Sequence, residues 1–167
     1  MTFWKNNGVE PVRKFRFKVL MDEFWWWVQT ADKPSFEVGT NEYLLTNHKF
    51  KIPGVLTWND ISITMVDSGQ KASKVLKFLE KSGYIIPSSM SQLPDGLAKR
   101  GVTGDKSTNL KIFQYDGKGK PLETWTLFGA FINSTNFGDL DYGSDDLVTL
   151  TLGISYDYAT LDSDQIL

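Results

Sequence analysis

The chain has no cysteine and a single histidine, His48, among its 167 residues. Without thiols there is no disulfide framework and no thiolate metal site, which fits a protein made in the cytosol. One imidazole, with no nucleophile motif beside it and no second histidine, reads as a loop residue rather than a catalytic base or metal ligand. No apolar run has the length of a transmembrane helix. The opening stretch, MTFWKNNGVEPVRKF, lacks the apolar core and cleavage pattern of a signal peptide. The expectation is a soluble protein, not exported by the usual route and not associated with a membrane. Lysine and arginine are also absent from residues 121–167. All 18 cationic side chains lie in residues 1–120 against 12 acids, for a charge of +6, while residues 121–167 carry 8 acids, for −8. Acids gathered in one part of a sequence mark one surface of a fold or mix with the cations in three dimensions, and both readings stay open.

What the chain does have is β periodicity. Residues 147–158, LVTLTLGISYDY, place Leu150, Leu152, Ile154, Tyr156 and Tyr158 on one face and Thr149, Thr151, Gly153, Ser155 and Asp157 on the other. One face suits a core; the second is small and polar yet free of cations, unusual for a strand washed by solvent. Earlier in the chain, residues 14–19 alternate Lys14, Arg16 and Lys18 with Phe15, Phe17 and Val19, a first strand with the aromatics inward. Asp22 and Glu23 turn it into a second strand, residues 24–28, completing a hairpin. Trp25, Trp26 and Trp27 put rings on both faces of that strand. They read either as a strand buried on both sides, by core and by a partner subunit, or as a stacking platform for a sugar or a base. Residues 30–58 form an extended excursion with the alternation of a long hairpin, and residues 58–66 form a strand with Ile61, Ile63 and Met65 inward.

One helix is expected, over about residues 68–82. Ala72, Val75, Leu76 and Leu79 fall on one stripe, Asp67 or Ser68 caps the start and Gly83 closes the end. Lys71, Lys74, Lys77 and Lys81 make a solvated face opposite, without the arginines or interleaved aromatics of a nucleic-acid stripe. Residues 84–108 are loop. Their GVTGDKST resembles a phosphate loop only superficially, because Gly101 and Gly104 are wrongly spaced and Asp105 intervenes before Lys106. Two strands, residues 110–115 and 122–132, flank a turn at 116–121. The acidic loop 133–146 carries Asp139, Asp141, Asp145 and Asp146 at spacings that do not match an EF-hand.

The sum is one domain, mainly β, with seven or eight strands in a sandwich or barrel, one helix and long loops. An N-terminal arm covers residues 1–11, with Phe3 and Trp4 placed to dock on the parent fold or a neighbouring subunit, and a C-terminal tail covers residues 159–167. A chain of this size buries roughly 70% of its unfolded surface, enough for a core without staples. No catalytic constellation, cofactor motif or metal-ligand set emerges, so the expectation is a protein that is not an enzyme. A carbohydrate-binding module using Trp25–Trp27 is one reading from a different class.

The order of a strand TWNDISITMVD, a helix, a long loop and TWTLFGAFINSTNFGDLDYGSDDLVTLTLGISYDY resembles the tail-tube proteins of T-even-type contractile bacteriophages. The likeness spans residues 12–160. It includes the Leu140–Asp141–Tyr142 step and the final strand closing in Asp157 between Tyr156 and Tyr158. Ile132, after Gly129-Ala130-Phe131, stands where the family often has proline, and the residues after Tyr158 run past the usual end. The resemblance implies hexameric rings stacked into a rigid inner tube of a virion tail, assembled in the host cytoplasm. It also implies a contractile sheath outside, and a tape-measure protein and then DNA in the bore without specific binding. Further partners would be baseplate or tube-initiator proteins and tail terminators. A tube initiator, or a tube component of a bacterial contractile injection system, would share the fold. On this reading Thr149, Thr151, Ser155 and Asp157 line the lumen. Phe3, Trp4, Trp25, Trp26 and Trp27, with Asn47, His48 and Lys49 at the tip of the 40–54 excursion, are expected to contact neighbouring subunits.

Overall fold

The computed structural model describes residues 12–21, 24–26, 28–69, 71–81 and 109–163. They form β1 (Phe17–Met21), β2 (Phe24–Trp26), β3 (Val28–Ala31), β4 (Ser35–Leu45), β5 (His48–Asn59), β6 (Ile61–Val66), α1 (Lys71–Lys81), β7 (Leu110–Tyr115), β8 (Pro121–Phe128), β9 (Phe131–Asn136), β10 (Thr149–Ser155) and β11 (Tyr158–Ser163). A 5-stranded sheet runs β11-β8-β7-β1-β2, a 4-stranded sheet runs β3-β6-β10-β9, and β4 and β5 form a 2-stranded sheet of their own. All pairings are antiparallel. The fold is mainly β, and the described residues form open sheets with no closed barrel.

The core follows from alternation. Leu150, Leu152 and Ile154 of β10 face Ile61, Ile63 and Met65 of β6 across the register Leu150↔Met65 and Leu152↔Ile63. From the five-stranded sheet, Val19, Met21, Leu110, Ile112 and Leu127 complete the same cluster. Helix α1 adds Val75, fully buried, with Ala72 and Leu79 packed at its side; its Lys74 and Lys77 are exposed. Asp67 accepts a hydrogen bond from the Gly69 amide at 2.9 Å, turning the chain before the helix.

Three runs that read as single strands each end at a corner where the chain passes to the other main sheet. β2 is followed by β3, which begins at Val28, β8 by β9, which begins at Phe131 and takes residues 133–136 from the expected acidic loop, and β10 by β11, which begins at Tyr158. At the second break Gly129 adopts φ 65°, a left-handed conformation that glycine alone adopts without steric cost. The third break, at Tyr156 and Asp157, lies beside it: the Asp157 amide donates to the Phe128 carbonyl at 2.9 Å, and Tyr158 stacks on Phe128 with ring centroids 4.7 Å apart. Strands that switch sheets at such corners let two sheets cross steeply over one core. The turn reverses the expected side of Tyr158, which is exposed, while Tyr156 stays buried.

Two further boundaries differ from the alternation. Lys14 and Phe15 form a turn, so β1 starts at Phe17 and Phe15 is exposed, with the Arg16 guanidinium 5.4 Å from its ring centroid. The expected tail supplies β11, paired with β8 from Tyr158↔Phe128 to Ser163↔Glu123. The arm at residues 1–11, with Phe3 and Trp4, lies outside the described residues, as do Trp27 and the loop containing GVTGDKST.

Candidate functional site

The four-stranded sheet buries one face and presents the other. Its strands VQTA, ISITMV, FINSTN and TLTLGIS contain no ionisable side chain. Across the presented face, Thr30 pairs with Thr64, Thr64 with Thr151, and Thr151 with Asn136, a row of hydroxyls ending in an amide. The Thr64 and Thr151 hydroxyls are 3.4 Å apart. The next row holds Ser62, Gly153 and Ser134, and Val66 sits opposite Thr149. Thr149, Thr151 and Ser155, expected on one surface, do share this face, each half-buried. Asp157 does not lie in the row, because the strand has ended and the chain is turning toward the other sheet. Carboxylates stand at the strand ends: Asp32 accepts from the Ser62 amide at 3.1 Å, and Asp60 from the Asn133 side chain at 2.7 Å.

A bulge fixes the polar row. Gly153 pairs with Ser134 and Ile154 with Ile132, leaving Asn133 as the extra residue. The Asn133 amide bridges Asp60 and Ser155, the latter at 2.8 Å. A Cβ at position 153 would collide with Ser134 Oγ and Asn133 Oδ1, so the glycine is what admits both polar side chains. The alternation identified β10; the contributions of Thr30, Ser62, Thr64, Ser134 and Asn136 depend on pairings between distant strands and leave no local signal.

The second surface is the β4–β5 hairpin. Phe36 and Trp58 anchor its base through a ring contact at 5.3 Å, and Trp58 reaches the buried Tyr156 at 5.9 Å. Burial raises the Tyr156 hydroxyl above its ordinary pKa of 10.0; the Ser35 amide opposes this and the Asp60 charge adds to it. Beyond the base the arm stands away from the body. Tyr43, Leu45, Phe50 and Ile52 share one face of its outer half and are 57%, 54%, 47% and 50% exposed. The other face carries Glu42, Leu44, Lys49 and Lys51, with Lys49 paired to Glu42 at 3.0 Å. Asn47, His48 and Lys49 lie at the exposed tip, where the His48 ring meets Phe50 edge-on. Trp25 and Trp26 pair by backbone with Leu20 and Val19; their side chains lie outside the described residues, so the sugar-platform reading gains nothing here.

No group of three or more His, Cys, Asp or Glu among the described residues is arranged to hold a metal ion. The four aspartates between β9 and β10 are exposed; Asp141 accepts from the Gly143 amide and Asp146 from the Ser144 hydroxyl.

No family model and no curated protein sequence matches the chain. Solved structures do. A chain in the anti-feeding prophage tube-terminating cap aligns with a TM-score of 0.70 at 18% identity, over 93% of both chains. One in the sheath–tube complex of the PVC extracellular contractile injection system, in its extended state, aligns at 0.67 and 16% over 92% of both. One in the anti-feeding prophage baseplate, 6-fold symmetrised, aligns at 0.66 and 16% over 95% of this chain and 99% of that one. The tail-tube resemblance of the sequence and these likenesses meet in one class of assembly. Over nearly its whole length, the chain has the fold found in the tube, cap and baseplate complexes of contractile injection systems.

Proposed function

We propose that the chain is a structural, non-catalytic component of the inner tube of a contractile tail, assembling as hexameric rings that stack within a sheath. The observation that carries the reading is the β4–β5 arm. A two-stranded hairpin is marginal in water by itself, and this one exposes large apolar side chains along its whole length. Such an element is stable and soluble when another copy covers it. The 6-fold baseplate with the same fold supports the ring number.

The presented face of the four-stranded sheet then lines the bore. A row of neutral hydroxyls and amides, with carboxylates at its ends, offers no cation to the phosphates of passing DNA, which carry about one charge per 1.7 Å. Tape-measure protein and genome would slide past, as in a T-even-type phage tail, and baseplate and terminator proteins would close the two ends. The likeness to a tube-terminating cap favours a second reading, a capping ring that ends a tube instead of extending it.

Electron microscopy of the purified protein at high concentration tests both. Long hollow tubes are expected, and isolated rings would select the capping role. A monomer in sedimentation at the same concentration, with a tube-nucleating partner present, would overturn the assembly reading. Deleting residues 2–8 should shorten or abolish tubes while leaving the β circular dichroism unchanged.

A further inference from the structure

The apolar face of the hairpin needs a cover, and a second region of the same chain has matching chemistry. Residues 137–147 expose Phe137, Leu140, Tyr142 and Leu147. Leu140, Tyr142 and Leu147 border an open groove of about 670 Å³ whose rim carries Asp139, Asp141 and Asp146. No cation pairs with these carboxylates among the described residues, and no lysine or arginine occurs anywhere in residues 121–167. The outer half of the hairpin offers the complement: apolar Tyr43, Leu45, Phe50 and Ile52, backed by Lys49 and Lys51. Glu42 occupies Lys49, and Lys51 has no ion-pair partner among the described residues. Both regions stay exposed within one molecule, so they do not cover each other there.

We infer that the tip of the β4–β5 hairpin of one copy docks into the 137–147 groove of the next, apolar side chains seated on Leu140 and Tyr142 and lysines against the aspartates. The inference rests on the assembly reading above and names its contact. The two patches differ, so the contact is heterologous. Each copy offers one arm and accepts one, and assembly continues head to tail until a ring closes or a helix runs on. The segregation of +6 and −8 between the two parts of the sequence is then a division between donor and acceptor surfaces.

The cysteine-free chain makes the test clean. Leu45→Cys and Tyr142→Cys, introduced together into the full-length protein and oxidised at assembling concentration, should give a covalent ladder of dimers, trimers and higher multiples. A mixture of the two single variants should stop at dimers. In parallel, Lys51→Glu and Asp141→Lys should each lower the assembled fraction at least tenfold at low salt, and the double charge swap should restore it. All four positions are exposed, so circular dichroism should remain that of the parent, and Tyr43→Cys with Leu140→Cys, again from the apolar face, provides an independent pair. A parent protein that assembles, with neither ladder from either pair nor rescue by the swap, overturns this contact and leaves the tube reading standing. A parent that stays monomeric overturns both.

Discussion

A methyl group at position 153 would meet Ser134 Oγ and Asn133 Oδ1. Gly153→Ala therefore turns the exposed Ser134 and Asn133 side chains aside, and loss of the Asn133 bonds to Asp60 and Ser155 costs about 0.5–1.5 kcal/mol each. For a domain of this size that is a fall of roughly 2–4 °C in melting temperature per kcal/mol. Adding Ser134→Ala removes one colliding oxygen and should return part of the loss in a calorimetric scan; no recovery would place the strain elsewhere. Asp116 gives a pH reading at the same scale. Its carboxylate accepts from the Lys118 and Lys120 amides at 2.7 and 2.8 Å, and these bonds, Lys120 first, hold its pKa below 3.8. A depressed folded-state pKa means the turn gains from the charge above about 3.8 and loses that gain as pH falls through the lower folded value. An NMR titration of the Asp116 carboxyl should show a midpoint below 3.8, and Asp116→Asn should loosen the turn at neutral pH. A midpoint at or above 3.8 would remove this role. The DGKGKP turn was legible from its composition, whereas the Asn133–Asp60–Ser155 bridge was not, since its members stand far apart in sequence.

Among the elements, inward alternation identified β6, β7 and the buried half of β10 directly, and the apolar stripe identified α1. Strand count was less readable. Period two persists through a corner, so residues 122–132 and 147–158 look continuous although each serves two sheets; only Gly129 hints at a bend, and nothing local marks Tyr156–Asp157. The hairpin was visible as alternation, but its isolation was not, because a strand covered by its own core and one covered by a neighbour share a pattern. That ambiguity yields a sharp prediction. Leu45→Ser and Phe50→Ser alter side chains already about half exposed in the single molecule, so monomer stability should move by no more than about 0.5 kcal/mol. Burial of such a side chain contributes about 1.5–3 kcal/mol, and each copy in an assembly would lose that. Sedimentation should show loss of large species while denaturant midpoints hold. Normal assembly of the double variant would take the arm out of the contact.

For the whole molecule, repetition multiplies small effects. Thr151 sits in the centre of the neutral row. In a hexameric tube, Thr151→Lys would put six ammonium groups in the bore at every layer. Like charges repel by about 1 kcal/mol at 4 Å in bulk water and less with salt. Assembly should therefore survive at moderate ionic strength, while DNA in the bore is gripped through phosphate contacts that weaken as salt rises. Particles of normal appearance with slow, salt-sensitive genome release are the expected outcome. Unaltered release at low salt would sink the lumen assignment and leave the tube intact.

The placement of β1 beside β7 also has a consequence for how the protein is made. Phe17 pairs with Gln114 and Met21 with Leu110, so β1 and β2 leave the ribosome long before the centre of their sheet exists. At ~5–20 residues per second, translation leaves the early strands waiting roughly 5–20 s for β7. During that interval the aromatic second strand has only β1 beside it and the apolar hairpin stands uncovered. Pairings this distant in sequence fold slowly, and a nascent chain in that state is a natural client for a holdase chaperone. Yield of folded protein should respond to translation speed and chaperone supply more than to the stability of the finished molecule.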